Sequence, residues 1–127
     1  MTENEIGTAI IECAVELHKE LGPGLLETVY EVALSHLLAE KGFPNDRQVP
    51  VPIQFKGIRF DEGFRADLIV SNKVVIELKS KIQISNADKK QIQTYLKLTG
   101  LKLGYLLNFG DALLKDGIVR AVNKLHE

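Results

Sequence analysis

Cysteine is almost absent: Cys13 is the only one, so no disulfide can close within the chain and no cysteine cluster can hold a metal. No apolar run approaches the ~20 residues that a membrane-spanning helix needs. The opening MTENEIG is acidic and polar, unlike the basic start of a secretory leader. A cytoplasmic protein with no membrane partner is the expectation. Repeats, linkers and low-complexity segments are lacking too, and 127 residues suit a single domain, 1–127, around one core. Net charge is −1, which gives no bulk attraction for a polyanion.

Charge is nonetheless unevenly spread. Residues 1–31 carry seven glutamates and one lysine, whereas residues 78–110 carry six lysines (Lys79, Lys81, Lys89, Lys90, Lys97, Lys102) and one acid, Asp88. That distribution permits a local basic face or an ordinary solvated helix surface.

Apolar residues Ile6, Ala9, Ile10, Cys13, Ala14, Leu17 and Leu21 recur at helical spacing, which predicts a helix over 3–20 ended by Gly22-Pro23. A second helix is expected from about Leu25 to Lys41, buried through Leu26, Val29, Tyr30, Ala33, Leu34 and Leu37. RQVPVPIQF alternates around two prolines and reads as an edge strand; Lys56-Gly57 signals a turn into IRF. Strands follow at about 64–70 and 74–80, a helix at 86–99, a buried strand in KLGYLLNF, and a small hairpin about Asp116-Gly117. The fold class is α/β (α+β): a mixed sheet flanked by helices, with two N-terminal helices and a C-terminal hairpin.

The stretch FRADLIVSNKVVIELKSK carries charges inside its two strands. Alternation puts Phe64, Ala66, Leu68 and Val70 on one face, and Val74, Ile76 and Leu78 on one face of the next strand. Only a three-residue loop, Ser71-Asn72-Lys73, sets apolar against apolar. That register places Asp67 across from Glu77 and Arg65 across from Lys79. Opposed carboxylates destabilise a sheet by about 0.2–1 kcal/mol when solvated and more when buried. Two things could offset this: a divalent cation held by both acids, or a charge ladder of Arg65 with Glu77 and Asp67 with Lys79. Glu77 and Lys79, two apart, share the face of Asp67. Two acids and a lysine on one face suit metal-assisted phosphodiester hydrolysis.

These residues resemble the PD-(D/E)XK nuclease superfamily, and more narrowly the prokaryotic family named for its GxxExxY signature. GLLETVY, Gly24 to Tyr30, matches that signature. The resemblance extends over ELHKELGPGLLETVYEVAL, RQVPVPIQFKG, RADLIVSNKVVIELKS, QIQTYLKLTGLKLGYLLNFG and GIVRAVN, in this order over almost the whole chain. The resemblance implies a restriction-endonuclease-like core. It implies catalytic roles for Asp67, Glu77, Lys79 and Glu27, with Glu27, Asp67 and Glu77 holding Mg²⁺ (or Mn²⁺) and the Leu78 carbonyl as a further candidate ligand. Ala66 stands where the superfamily name has proline. Gln91 and Tyr95 match a Q-x-x-x-Y motif and share a helix face. His18 and Gln48 also match the family pattern, and Tyr30 closes the signature.

Structural readings stand beside these. Glu27 also suits the positive end of a helix dipole. Tyr30 and Tyr95 also suit core positions with a bonded hydroxyl. His18 sits near the apolar stripe, where a satisfied buried imidazole is the plainer role. Arg65 and Arg120 are candidate phosphate contacts or surface ion-pair partners. The implied activity is a Mg²⁺-dependent deoxyribonuclease acting on nucleic acid, DNA before RNA. The alternative is a catalytically silent nucleic-acid-binding or scaffold protein. A homodimer would enlarge the binding surface.

Overall fold

The computed structural model describes residues 1–126. Helix α1 runs Glu3–Leu21. Thr2 caps it by accepting the Glu5 N–H, and the Glu5 side chain closes the capping box. Ile6, Ile10, Cys13, Ala14 and Leu17 are buried on its inner face, and Gly22, at φ +78°, ends it.

Helix α2, Glu27–Glu40, starts two residues later than its apolar pattern suggests. Its buried face is Tyr30, Glu31, Leu34 and Leu38, while Leu26 is 78% exposed and Val29 41% exposed. The expected stripe is therefore rotated. The cause is Glu31, which turns inward because Arg47 neutralises it there. Apolar periodicity cannot assign an inward position to an acid.

Strand β1, Asn45–Phe55, and strand β2, Ile58–Val70, form a long hairpin. Its turn is Lys56-Gly57, at φ +47° and +81°, the left-handed pair that twists in step with the strands. β1 lies at the sheet edge, where Pro50 and Pro52 are tolerated. β2 turns through Ser71-Asn72-Lys73 into β3, Val74–Lys79, with Val70 opposite Val74 and Leu68 opposite Ile76. The register is the one that the hydrophobic pattern requires.

Helix α3, Asn86–Thr99, crosses over so that β4, Leu103–Asn108, lies parallel to β3. Strand β5, Ile118–Val122, returns antiparallel to β4. The five-stranded mixed sheet has the order β1-β2-β3-β4-β5. The C-terminal hairpin is thus β4–β5, and residues 114–117 form a 3₁₀ turn rather than a strand of a hairpin about Asp116-Gly117. Leu114 is drawn into the core, and Asn108 donates to Asp111 at 2.9 Å, which folds the connection inward.

α1 and α2 cover one sheet face, with Ile6, Ile10, Leu34, Leu68, Val70, Ile76 and Leu78 in contact. α3 covers the other, with Ala66, Val75, Ile92, Leu96 and Leu106. Ala66 and Phe64 therefore face α3, while Leu68 and Val70 face α1 and α2. The four do not share a face as strict alternation predicts, so β2 changes phase at Asp67.

Behind β3, Asn108 is fully buried and holds Lys81 by both its N–H (2.9 Å) and its carbonyl (3.0 Å). Lys81 in turn bonds Asp88, the N3 residue of the Ser85 capping box. The Lys81 ammonium, with the Ser85 backbone N–H, holds the Asp88 carboxyl down at about 2 from an ordinary 3.8. A depressed folded value contributes stability above the unfolded value and loses it as pH falls. Asp88→Asn is expected to cost about 1–2 kcal/mol at pH 7. In urea melts the gap from wild type should shrink as pH drops from about 3.8 toward about 2.

Candidate active site

β2 and β3 stay laddered from Val70–Val74 to Leu68–Ile76 and then part. Asp67 and Glu77 occupy the next rung. Glu77 Oε1 accepts the Asp67 backbone N–H at 3.1 Å, and Asp67 Oδ2 accepts the Leu78 N–H at 2.9 Å. Each carboxylate thus satisfies a backbone donor that the parted ladder would leave open. Asp67 is half-buried and Glu77 is 5% exposed.

Burial pushes the Glu77 carboxyl up from 4.5 to about 8; the neighbouring Asp67 charge adds to the rise, and Lys79 pulls against it. Metal-free and at neutral pH, Glu77 therefore keeps its proton. Across the fork, α3 presents Tyr95, stacked on Phe64 with centroids 3.9 Å apart. Its hydroxyl is raised to about 12 by burial and then by the charges of Glu77 and Asp67. One turn earlier on α3, the Gln91 Oε1 is buried without a partner among the described residues.

The loop into α2 is held from several sides. Tyr30 is fully buried and stacks on Phe109 at 4.3 Å. Its hydroxyl donates to the Gly22 carbonyl at 2.6 Å and accepts the Leu25 N–H at 3.0 Å. Ser80, just past β3, donates to the Leu25 carbonyl at 2.6 Å. Phe109 donates its backbone N–H to the Lys79 carbonyl at 2.8 Å. Gly24, at φ +87°, makes the bend that a side chain would strain. Glu27 follows as the first residue of α2 and is exposed beside Ser80. Its convergence with Asp67 and Glu77 is not observed: among the described residues no three His, Cys, Asp or Glu side chains gather as a metal site. The start of α2 faces solvent, and Glu27 goes with it.

Residues 4–121 match the family model of the PD-(D/E)XK nuclease superfamily. The chain belongs to that superfamily. Among solved structures it is similar to one titled "Crystal structure of SSO0001", with 25% identity and a TM-score of 0.52. The match covers 80% of this chain and 52% of the other, so the chain spans about half the length of that relative. No curated protein matches it. Asp67 and the Glu77-Leu78-Lys79 triplet lie inside the matched residues of this PD-(D/E)XK domain. Two neighbouring acids, one of them raised to about 8 by burial and then by the charge of the other, are the hard oxygen donors that Mg²⁺ or Mn²⁺ takes.

The remaining sequence candidates sort by their partners. Arg65 is exposed and pairs with Glu62, so the charge ladder of Arg65 with Glu77 and Asp67 with Lys79 does not form. The strands have parted at that point, and Arg65 takes the nearer acid. The Lys79 ammonium has no hydrogen bond or ion pair among the described residues. His18 is buried, with Nε2 2.9 Å from the Asp111 carbonyl oxygen and its ring against Phe109, which makes it an anchor for the β4–β5 connection. Arg120 bonds Asn4 at 2.8 Å. Gln48 reaches both Glu31 (2.6 Å) and Asp67 (3.3 Å). Sequence reasoning missed Glu31, Arg47, Ser80 and Asn108. Glu31 lies one helical turn after Glu27, a spacing that reads equally as solvated surface.

A raised folded-state value means that the folded chain binds the extra proton. The metal-free fold should therefore lose stability as pH rises from about 4.5 through about 8. Glu77→Gln keeps the oxygen that accepts the Asp67 N–H and removes the charge. Its melting temperature in chelator should exceed wild type at pH 8, and the gap should close toward pH 5.

Proposed function

We propose that this PD-(D/E)XK domain hydrolyses phosphodiester bonds in nucleic acid, DNA before RNA, with Mg²⁺ or Mn²⁺. The observation that carries the reading is the Asp67–Glu77 pair, set side by side at the fork where β2 leaves β3. The two carboxylates would hold the cation, and Glu27 is the candidate third ligand. When bound, such an ion polarises the phosphate and lowers the pKa of its water. Lys79, on the Glu77 face of β3, orients that water and offsets charge that grows on the phosphoryl oxygens. Tyr95 and Gln91 border the same side from α3. The exposed Lys89, Lys90 and Lys97 of α3 offer charge to the phosphate backbone.

We also assign the chain to the family with the GxxExxY signature. The structure supports this by giving the signature a physical logic. Gly24 makes the bend, Tyr30 clamps the loop by its hydroxyl, and Glu27 is presented at its end. A cytoplasmic location and a homodimer that adds binding surface belong to the same proposal. The exposure of Glu27 favours one competing reading, a nucleic-acid-binding scaffold without turnover.

Purified protein with Mg²⁺ or Mn²⁺ and a panel of single- and double-stranded DNA and RNA separates the two. Cleavage is expected, and Asp67→Ala, Glu77→Gln and Lys79→Ala should each lower it by about 100-fold or more. Binding of nucleic acid without cleavage would leave the scaffold. No cleavage, together with unchanged Mn²⁺ and DNA binding in Asp67→Ala, would end the nuclease reading.

A further inference from the structure

The β1–β2 ladder shifts register between Val51 and Ile53, and it also lapses at one rung within its inner half. Arg47 pairs with Leu68 and Val49 with Ala66, but Gln48 and Asp67 between them do not pair. Gln48 adopts φ +53°, the left-handed region that a residue with a Cβ avoids. This is the same rung at which β2 changes phase. A regular strand sends neighbouring side chains to opposite faces. Here Arg47 and Gln48 reach the same acid. Arg47 donates to Glu31 Oε2 from Nε (3.0 Å), and its terminal nitrogen is ion-paired with the same oxygen at 2.8 Å. Gln48 Nε2 donates to Glu31 Oε1 at 2.6 Å. That amide nitrogen carries a second hydrogen and stands 3.3 Å from Asp67 Oδ1.

Glu31 is 5% exposed and both its oxygens are engaged, so it serves as an anchor rather than as a ligand. We infer that Glu31, Arg47 and Gln48 form a positioning unit for Asp67. Arg47 fixes Glu31, Glu31 fixes the Gln48 amide, and the amide's second N–H meets Asp67 Oδ1. Oδ2 is then left to the Leu78 N–H, so the carboxylate has one orientation and Oδ1 keeps a lone pair for a ligand. Backbone strain retained at such a rung is characteristic of functional sites. The inference rests on reading Asp67 as a residue that holds a cation, and it deepens that reading by naming what aims it.

The test is Gln48→Gly, which removes the amide and relieves the backbone. Three measurements are made on the whole chain: melting temperature, hydrogen exchange of the Leu78 amide without metal, and Mn²⁺ affinity. A positioning role predicts a melting temperature at or above wild type. It also predicts faster Leu78 exchange and Mn²⁺ affinity lower by about 10- to 100-fold. Gln48→Met, which keeps the length and loses only the amide, should show the same two losses. A lower melting temperature with wild-type Leu78 exchange and Mn²⁺ affinity would overturn the proposal and make Gln48 a structural residue. Asp67→Ala separates the two layers. If it leaves Mn²⁺ binding unchanged while Gln48→Gly still frees the Leu78 amide, positioning stands and the cation reading falls.

Discussion

Two carboxylates in one poorly solvated fork repel each other, and the repulsion is stronger than in water because little solvent screens it. The domain accommodates Asp67 and Glu77 in three ways. β2 and β3 separate, so that each acid accepts a backbone N–H instead of facing the other across a closed ladder. Glu77 keeps its proton. A lysine two residues on, without an acid of its own among the described residues, lends its field. The fork is therefore a place where the sheet gives up regular pairing to hold charge, and its neighbours are arranged around that concession.

The two faces of the sheet divide the labour. The α1 and α2 face is mostly apolar core, and its buried acid, Glu31, is fully engaged by Arg47 and Gln48. The α3 face brings the aromatic pair Phe64–Tyr95 and the lysine-rich helix surface. Because β2 switches phase at Asp67, that residue is addressed from both sides, by Gln48 tied to α2 and by Tyr95 on α3. A strand of strict alternation would have offered its acid to one layer only.

Much of this frame was legible in the residues. The helical spacing of Ile6, Ile10, Cys13 and Leu17 predicts α1 to within a residue of its observed end, and the apolar pairing of Val70 with Val74 and Leu68 with Ile76 sets the β2–β3 register without knowledge of any family. Other features were hidden for specific reasons. The phase change depends on a left-handed glutamine, and nothing in the letter Q announces a positive φ. Glu31 reads as surface until Arg47, sixteen residues away, is seen to meet it. The inner face of α2 was misjudged because Leu26 and Val29 look more apolar than the acid that displaces them. Asn108, in a segment that reads only as a short buried strand, is a hub because the backbone of Lys81 passes against it.

The clamp around Glu27 has one further property. From the Lys79 carbonyl the contacts run to the Phe109 amide, and from the Phe109 ring to the Tyr30 ring. They continue from the Tyr30 hydroxyl to Leu25, from the Leu25 carbonyl to Ser80, and along the chain back to Lys79. This is a closed kinematic circuit. A link in an open chain swings about one joint, whereas a link in a closed circuit moves only if every joint yields together. The tip of the helix and the end of the central strand therefore travel as one part, and the spacing between Glu27 and Lys79 is a shared dimension of the circuit.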